Sequence, residues 1–456
     1  MDDATFEKFR VWAEATLNGK TVRSRRQGER RSGGRPAWFM DFETPAGPVS
    51  CYARMDRGAE QLVSREFTLE REAGIVRTLH EHGIRVPKVH GYCEDPAGIL
   101  MEFVPGEFDY TALPAGPERD ALDRDFVTEL VRLHELPTAP FEALGLPAPD
   151  SPEAFALGDL SLWERTYRAA LRRPVPLVEF ATRWLRRNIP PAPPRPSLIQ
   201  GDTGPGQFLF DGSRVTAIID WEFAHLADPV LDLAQVRTRD FYNPGADMGE
   251  WWRLYQEVSG RTLDLATLRY YTVKSMLITP LALAGVVQNM VAQTDHAEWY
   301  AQDVCYKRAT AEALAEAVGV AIDPPPMPDP GAGAISEIVA LIETQLVTEH
   351  RAELPDDYAR YRLDLARRLL THVQNLDRLE APLAAQDADD RAALLGRSTG
   401  TTPPDDRELL ALIESAGSER DVDLVRYLHR RSVREERLFR GALGVGENAV
   451  FQRISG

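Results

Sequence analysis

Two aspartates on either side of a short turn are the residues of this sequence best placed to do chemistry. Asp202 lies in QGDTGPGQFLF ahead of an apolar run, and Asp220 ends the apolar run VTAIID. The turn DGSR between the two runs predicts a β-hairpin, and the outer ends of an antiparallel pair are neighbours in space. Two acids meeting there could hold a divalent cation and orient a reacting hydroxyl. A Gly-Asp turn alone is usually structural. The prediction of a site therefore depends on Asp220, which the hairpin would place beside Asp202.

The segments around the hairpin predict an α+β architecture. Residues 1–104 show a helix, strands, a second helix and another strand pair, whereas residues 105–322 are mainly helical. Proline and glycine crowd residues 323–334, which predicts a linker. Residues 335–456 contain long amphipathic helices and predict an all-α C-terminal domain.

Composition narrows the class of protein. At 456 residues the chain is too long for one ordinary core, and its net charge of -17 argues against non-specific nucleic-acid binding. Three separated cysteines form neither a disulfide framework nor a zinc pattern, which favours a reducing cytoplasm. The N-terminus has no signal-type apolar core, and no uninterrupted apolar run reaches the roughly 18 residues that span a bilayer. We therefore expect a cytoplasmic protein without a nucleic-acid or membrane partner.

The hairpin and the motifs after it resemble those of the aminoglycoside phosphotransferase family, which shares the protein-kinase-like fold. That family reads His-Gly-Asp, four residues, Asn, then a strand ending in Asp-Trp-Glu, followed by Asp-Pro and Asp-Leu-Ala. The same order and spacing are found here in Gln200-Gly201-Asp202, Gln207, Asp220-Trp221-Glu222, Asp228-Pro229 and Asp232-Leu233-Ala234. The resemblance covers roughly residues 20 to 320. It implies a bilobal kinase-like fold that uses ATP and Mg²⁺, with Mn²⁺ as the alternative metal, to phosphorylate a hydroxyl of a small molecule.

The resemblance also implies a role for each residue of the site. Asp202 would be the catalytic base, and Gln207 and Asp220 would be magnesium ligands. Asp228 and Asp232 would brace the start of the next helix. The implied nucleotide-binding residues are Arg54 at the family's strand-lysine position, its ion-pair partner Glu72, Glu102 and Val104 as backbone contacts to adenine, and Ser32, Gly33 and Gly34 in a phosphate-covering turn.

Two glutamines depart from the family pattern. Gln200 replaces the usual His, and Gln207 replaces the usual Asn. Gln offers the same amide oxygen as Asn, but on a side chain one methylene longer. Because the octahedral geometry of Mg²⁺ tolerates misplacement poorly, reduced activity, an altered metal preference and a nucleotide-binding pseudokinase or scaffold all stay open.

Several further residues have two interpretations. We interpret His225 as a hydrogen-bonding residue at a helix start in preference to an acid–base group. We interpret Trp251 and Trp252 as core residues, with the acceptor site as the alternative. The Arg-rich LHRRSVREERLFR predicts a solvated helix face or an interface.

The acceptor and the role of the last 120 or so residues are open from sequence alone. The QGDTGPGQ form is similar to family members that include hydroxyacyl-CoA kinases, and an aminoglycoside is the alternative acceptor. Residues 335–456 have no readable motif. Dimerisation through this segment, a lid over the acceptor and partner binding are the hypotheses for it.

Overall fold

The N-terminal lobe is an antiparallel sheet with a helix on one face. The computed structural model of the protein describes residues 3–27, 35–56, 67–289, 295–331, 333–354, 357–397 and 405–454. In the described part of this lobe the strands lie in the order β1-β2-β3-β5-β4. The elements are helices α1 (Asp3–Leu17) and α2 (Leu69–Glu81) and strands β1 (Lys20–Arg26), β2 (Ala37–Thr44), β3 (Gly47–Met55), β4 (Val89–Cys93) and β5 (Gly98–Glu102).

The period-two alternation of the strands gives this sheet two different faces. One face packs on α1 through an apolar cluster that includes Phe9, Trp38 and Met40. The register pairs Phe39 with Tyr52 on the opposite face, and Arg54 follows two residues later on the same side. The helix, hairpin and strand-pair predictions for the first hundred residues are thereby confirmed.

The C-terminal lobe is mainly helical and carries two small antiparallel sheets. Strands β6 (Ser197–Ile199) and β9 (His225–Ala227) pair with each other, and β7 (Phe208–Asp211) pairs with β8 (Arg214–Ile218). The second pair is the hairpin predicted from the sequence. The helices are α3 (Pro117–Glu135), α4 (Ala139–Glu142), α5 (Pro152–Leu157), α6 (Leu160–Ala170), α7 (Pro176–Arg187), α8 (Val230–Tyr242), α9 (Met248–Ser259), α10 (Leu265–Gln288) and α11 (His296–Val318).

Helix α10 is the central helix of this lobe. Among the helices of the described residues, α10 is the one that is long and apolar enough to cross a membrane. Its mean hydropathy over 18 residues is 1.3. Within the fold, however, 78% of that window is buried. Because it packs against α6, α8 and α11, it has the character of a core helix, and Arg269 and Lys274 interrupt its apolar sequence.

The C-terminal segment adds four helices to the described structure and shares the core of the lobe before it. Apolar side chains of its last two helices and of the residues after them, among them Leu424 and Phe439, belong to the same buried cluster as those of α10 and α11. Helix α15 packs along α11. The domain boundary at residue 335 stays a prediction, but the two regions bury one continuous apolar core. The helices are α12 (Ala334–Gln345), α13 (Asp357–Leu394), α14 (Asp406–Ser415) and α15 (Asp421–Arg437).

Candidate active site

The β7–β8 hairpin brings the loops that carry Asp202 and Asp220 side by side. The Ile219 N–H donates to the carbonyl of Gln207 at 2.9 Å. The side-chain amide of Gln200 donates to the carbonyls of Ile219 and Asp220 at 2.8 and 3.2 Å. Gln200 therefore fastens the two loops together, which gives a structural role to the residue that replaces the family His.

Asp202 is held through one of its two carboxylate oxygens. Oδ2 accepts from the Gln207 amide and lies 3.2 Å from Nη1 of Arg239. Burial raises the pKa of Asp202 to about 6, with Arg239 and Gln207 acting against the rise and Asp220 adding to it. A carboxylate with a pKa near neutrality is suited to accept a proton from a hydroxyl.

Gln207 uses its nitrogen on Asp202, which leaves its amide oxygen as the donor atom for a cation. Asp220 supplies a carboxylate from the neighbouring loop. Hard oxygen ligands of this kind suit Mg²⁺, which commonly takes one or two protein groups together with phosphate oxygens. Among the described residues, no group of three or more His, Cys, Asp or Glu side chains is placed to hold a metal ion. This amide and carboxylate pair therefore fits a cation that is shared with a nucleotide.

Arg54 is the centre of an ion-pair cluster under the sheet. Its guanidinium lies 2.8 Å from Glu72, 2.7 Å from Asp220 and 3.3 Å from Glu222. Arg35 joins the cluster at 3.0 Å from Glu222. Burial raises the pKa of Glu72 while Arg54 opposes the rise. The predicted Arg54–Glu72 ion pair is present, and it extends to the proposed magnesium ligand.

Asp220 adopts a left-handed backbone conformation. Its φ is 63°, a value that is uncommon outside glycine, although Asp and Asn adopt it more often than other residues do. Residues held in such conformations cluster at functional sites, because the surrounding structure must over-determine them. Here the Arg54 ion pair and the Gln200 hydrogen bond fix both the side chain and the carbonyl of Asp220.

A cleft of about 920 Å³ between the lobes brings the predicted residues together. Phe39 and Tyr52 form an aromatic roof, with ring centroids 5.5 Å apart. Ser32, Gly33 and Gly34 lie outside the described residues. The predicted residues that line the cleft are Arg54, Glu72, Glu102, Val104, Asp202, Gln207 and Asp220.

Comparison with known proteins covers part of the sequence that forms this cleft. The model of the phosphotransferase enzyme family matches residues 63–266. Over these residues the chain is similar to that family, whereas Arg54 and strands β1 to β3 precede the match. We refer to residues 63–266 as the phosphotransferase domain.

Two relatives and one solved structure are similar to parts of this chain. Acyl-CoA dehydrogenase family member 11 of Pongo abelii is 30% identical over 260 residues, which cover 51% of this chain and 32% of that protein. Acyl-CoA dehydrogenase family member 10 of Mus musculus is 29% identical over 183 residues, which cover 38% of this chain and 17% of that protein. The chain thus spans a third or less of these two curated relatives. A Ralstonia eutropha structure assigned as an aminoglycoside phosphotransferase matches 68% of this chain and 95% of its own, with a TM-score of 0.51 and 22% identity, which shows the fold.

Asp232 supports the loop that carries Asp202. Its carboxylate accepts from the N–H groups of Gln200 and Gly201 at 3.0 and 3.1 Å. On the other side it lies 3.0 Å from Nε2 of the fully buried His134. Asp232 lies in the first turn of α8, where an acid at the helix start was predicted, and these hydrogen bonds give it a second role that was not predicted. Asp228 braces that helix, because its carboxylate accepts from the N–H of Val230 at 2.9 Å.

The positions of His225 and Trp251 in the fold decide between the two interpretations given for each residue. His225 lies in strand β9, with Nδ1 2.9 Å from the carbonyl of Phe223, so its placement at a helix start was wrong. A strand of three residues is too short for its pattern to be recognised in sequence. Trp251 is buried against Phe126 and Tyr110, which confirms its interpretation as a core residue.

Three arginines that contact the site were not predicted from the sequence. Arg35 reaches Glu222, Arg71 on α2 donates to the carbonyls of Glu222 and Ala224, and Arg239 reaches Asp202. Arg35 and Arg71 tie the N-terminal lobe to the segment that follows Asp220. Arg239 lies two turns further along α8 than Asp232, and no sequence pattern pairs it with Asp202.

Proposed function

We propose that the phosphotransferase domain transfers the γ-phosphate of ATP to a hydroxyl of a small molecule. The observation that carries this proposal is the convergence of Asp202, Gln207 and Asp220 at one end of a hairpin, opposite Arg54 on the sheet. It combines a carboxylate base, oxygen ligands for a cation and a guanidinium for phosphate in one cleft.

Each residue has a separate task in this scheme. Asp202 orients the acceptor hydroxyl and takes its proton while the oxygen forms a bond to the γ-phosphorus and the bond to the β-phosphate oxygen breaks. Gln207 and Asp220 would hold Mg²⁺, which neutralises phosphate charge when it is bound. Arg54, positioned by Glu72, binds the α- and β-phosphates through its bidentate fork. Most of the rate enhancement then comes from positioning and charge neutralisation.

For the nucleotide base, the aromatic roof offers a stacking surface. Phe39 and Tyr52 lie on the sheet face above the cleft, and Leu209 of strand β7 lines it as well. The Tyr52 hydroxyl donates to Gln27 at 2.8 Å, which fixes the orientation of its ring. Glu102 and Val104 follow at the junction between the lobes and are proposed as backbone contacts to adenine.

A hydroxyacyl-CoA-type compound is the acceptor class that we favour. Arg23 and Arg25 line the cleft on the edge strand of the sheet. Arg25 lies 4.5 Å from the centre of the Phe39 ring, so this positive charge is on the nucleotide side of the cleft and complements phosphate there. The acceptor class rests instead on the relatives, which are named acyl-CoA dehydrogenase family members. An aminoglycoside is the second candidate, because the solved structure with a similar fold is assigned to that activity.

The proposal is tested by ATP consumption with Mg²⁺ or Mn²⁺ against a panel of hydroxyacyl-CoA thioesters, aminoglycosides and simple alcohols. We expect turnover with one class, and Asp202→Asn should lower kcat by about 10²–10⁴-fold. Asp211→Asn is the matched control, because Asp211 is exposed at the turn end of the same hairpin. ATP binding without turnover for any acceptor would favour the pseudokinase, and full turnover by Asp202→Asn would remove Asp202 as the base.

A further inference from the structure

Arg239 reaches Asp202 across a glycine-rich surface. Gly204 and Gly206 have φ values of 137° and 86°. A Cβ on Gly204 would lie 3.2 Å from the Cβ of Arg239 and 3.2 Å from the Cα of Val236. The loop TGPG therefore lets helix α8 approach closely enough for the Arg239 side chain to lie beside Asp202. Arg239 also lies 3.3 Å from the carbonyl of Pro205.

The end of helix α8 that carries Arg239 is held by residues 449–454, which we call the C-terminal brace. Arg237 is buried and donates to the carbonyl of Gln452 at 2.8 Å and to Glu316 at 2.9 Å. The N–H of Val450 donates to the carbonyl of Phe241 at 3.0 Å. The brace thus binds α8 on both sides of Arg239 in sequence.

Gln452 is the central residue of the brace. Its side-chain nitrogen donates to Asp240 at 2.6 Å and to the carbonyl of Ala246 at 2.7 Å, and its oxygen accepts from the N–H of Met248 at 3.4 Å. One amide therefore joins the last turn of α8 to the start of α9. Beyond Gln452, the brace is anchored to α11, because the carboxylate of Glu316 accepts a hydrogen bond from the N–H of Ile454 at 2.8 Å.

We propose that the C-terminal brace positions Arg239 on Asp202, so that residues far beyond the C-terminal end of the matched segment are part of the phosphotransferase machinery. This inference rests on the proposed function through the role given to Asp202. Arg239 and Gln207 occupy the same carboxylate oxygen. The second oxygen is thereby directed to the acceptor, and Gln452 acts on this geometry only through α8.

The test compares Gln452→Leu, which keeps the size of the side chain and removes its hydrogen bonds, with Gln374→Leu. Gln374 is a partly buried glutamine of α13 whose amide donates to the carbonyl of Ser336. We expect Gln452→Leu to lower kcat by about tenfold or more while the KM for ATP changes less than about twofold, because reaction geometry is more sensitive to misplacement than binding. Gln374→Leu, at a matched folded fraction, should keep the wild-type kcat.

Two further measurements separate positioning from general support of the fold. Arg239→Met should lower kcat, and Arg239→Met/Gln452→Leu should be no slower than Arg239→Met, because both act through one contact. In hydrogen exchange, Gln452→Leu should speed exchange at the Gln207 N–H, which donates to the carbonyl of Gly204, whereas Gln374→Leu should not.

The outcomes distinguish this inference from the proposed function. If the wild-type protein shows no turnover with any acceptor, the proposed function fails, and exchange at Gln207 alone decides the positioning role. If the wild-type protein turns over and Gln452→Leu matches Gln374→Leu in kcat and exchange, the positioning role is overturned. Additive losses in the double variant would overturn it as well.

Discussion

Two clusters of arginines and carboxylates in this molecule use the same pairing chemistry in different settings. Both are largely shielded from solvent and both link elements that are distant in sequence. The cleft cluster consists of Arg35, Arg54, Glu72, Asp220 and Glu222. The helical cluster consists of Asp387, Asp390, Arg391, Asp406, Arg431 and Arg434.

Backbone conformation and access distinguish the two clusters. Every member of the helical cluster lies on α13, α14 or α15, whose backbones are regular. The cleft cluster includes Asp220 at a φ of 63° and borders the 920 Å³ cleft. Ion pairing alone is therefore a poor marker of a site, whereas a carboxylate at a left-handed backbone position beside a ligand-sized cleft is a good one.

The largest effect is expected from breaking the helical cluster. The side chain of Arg434 is 4% exposed and pairs with Asp387 and Asp390. Arg434→Met removes the most buried partner of those carboxylates, which keep Arg391 and Arg430 as ion-pair partners. It should lower the free energy of unfolding by about 3 kcal/mol, the low end of the range for a broken buried pair. Urea denaturation measures this loss, and kcat at a temperature where the variant is folded should match wild type. A large fall in kcat at full folding would make this cluster functional.

Breaking the cleft cluster should lower catalysis as well as stability, because Arg54 is buried beside Glu72 and Glu222. Arg54→Met removes the guanidinium that faces Asp220 and the proposed phosphate position. We expect kcat/KM for ATP to fall by about 10²–10³-fold, as for the loss of one preorganised charge donor. Arg391→Met in the helical cluster is the matched control for removing a buried arginine. Equal losses of kcat/KM in both variants would erase the distinction between the clusters.

The smallest effect concerns pH and His429, a buried residue of α15. Burial lowers the pKa of His429 to about 4, with Arg308 and Arg453 adding to the shift. The unfolded chain binds this proton below pH 6.5 and the folded chain does not, so stability falls as pH drops from 6.5 to 4.

His429→Gln removes this titration. The slope of unfolding free energy against pH in that window should become shallower by up to about 1.4 kcal/mol per pH unit. Denaturation at several pH values measures the slope, and His350→Gln, on an exposed histidine, should leave it unchanged. An unaltered slope in His429→Gln would show that His429 takes up its proton normally in the fold.

Local patterns predicted the parts of the site that lie close together in sequence. The hairpin with Asp202 and Asp220 follows from two apolar runs and a turn, and the Arg54–Glu72 ion pair follows from the family resemblance. Arg239 could not be found this way, because its contact depends on the path of α8 over two glycines. The partners of Asp232 were not predicted for a related reason: its position at the helix start is clear from the sequence, but these hydrogen-bond partners lie on a loop 31 and 32 residues earlier.

No sequence pattern predicted the contacts of the C-terminal brace. Residues 449–454 form no regular element, and their contacts to α8 span more than 200 positions. Periodicity and turn signals describe neighbours along the chain and contain no information about such pairings. The shared core of residues 335–456 with the preceding lobe was unpredictable for the same reason.

The glutamine at position 200 gives the junction of the two catalytic loops a property that a histidine there would lack. An imidazole exchanges a proton near pH 6.5, and its donor pattern changes with it. The amide of Gln200 has no proton to gain or lose in that range, and it donates to Ile219 and Asp220 in the same way throughout. The junction of the two loops therefore does not depend on a titrating group at position 200, and Asp202 can gain or lose its proton while the Gln200 hydrogen bonds are unchanged.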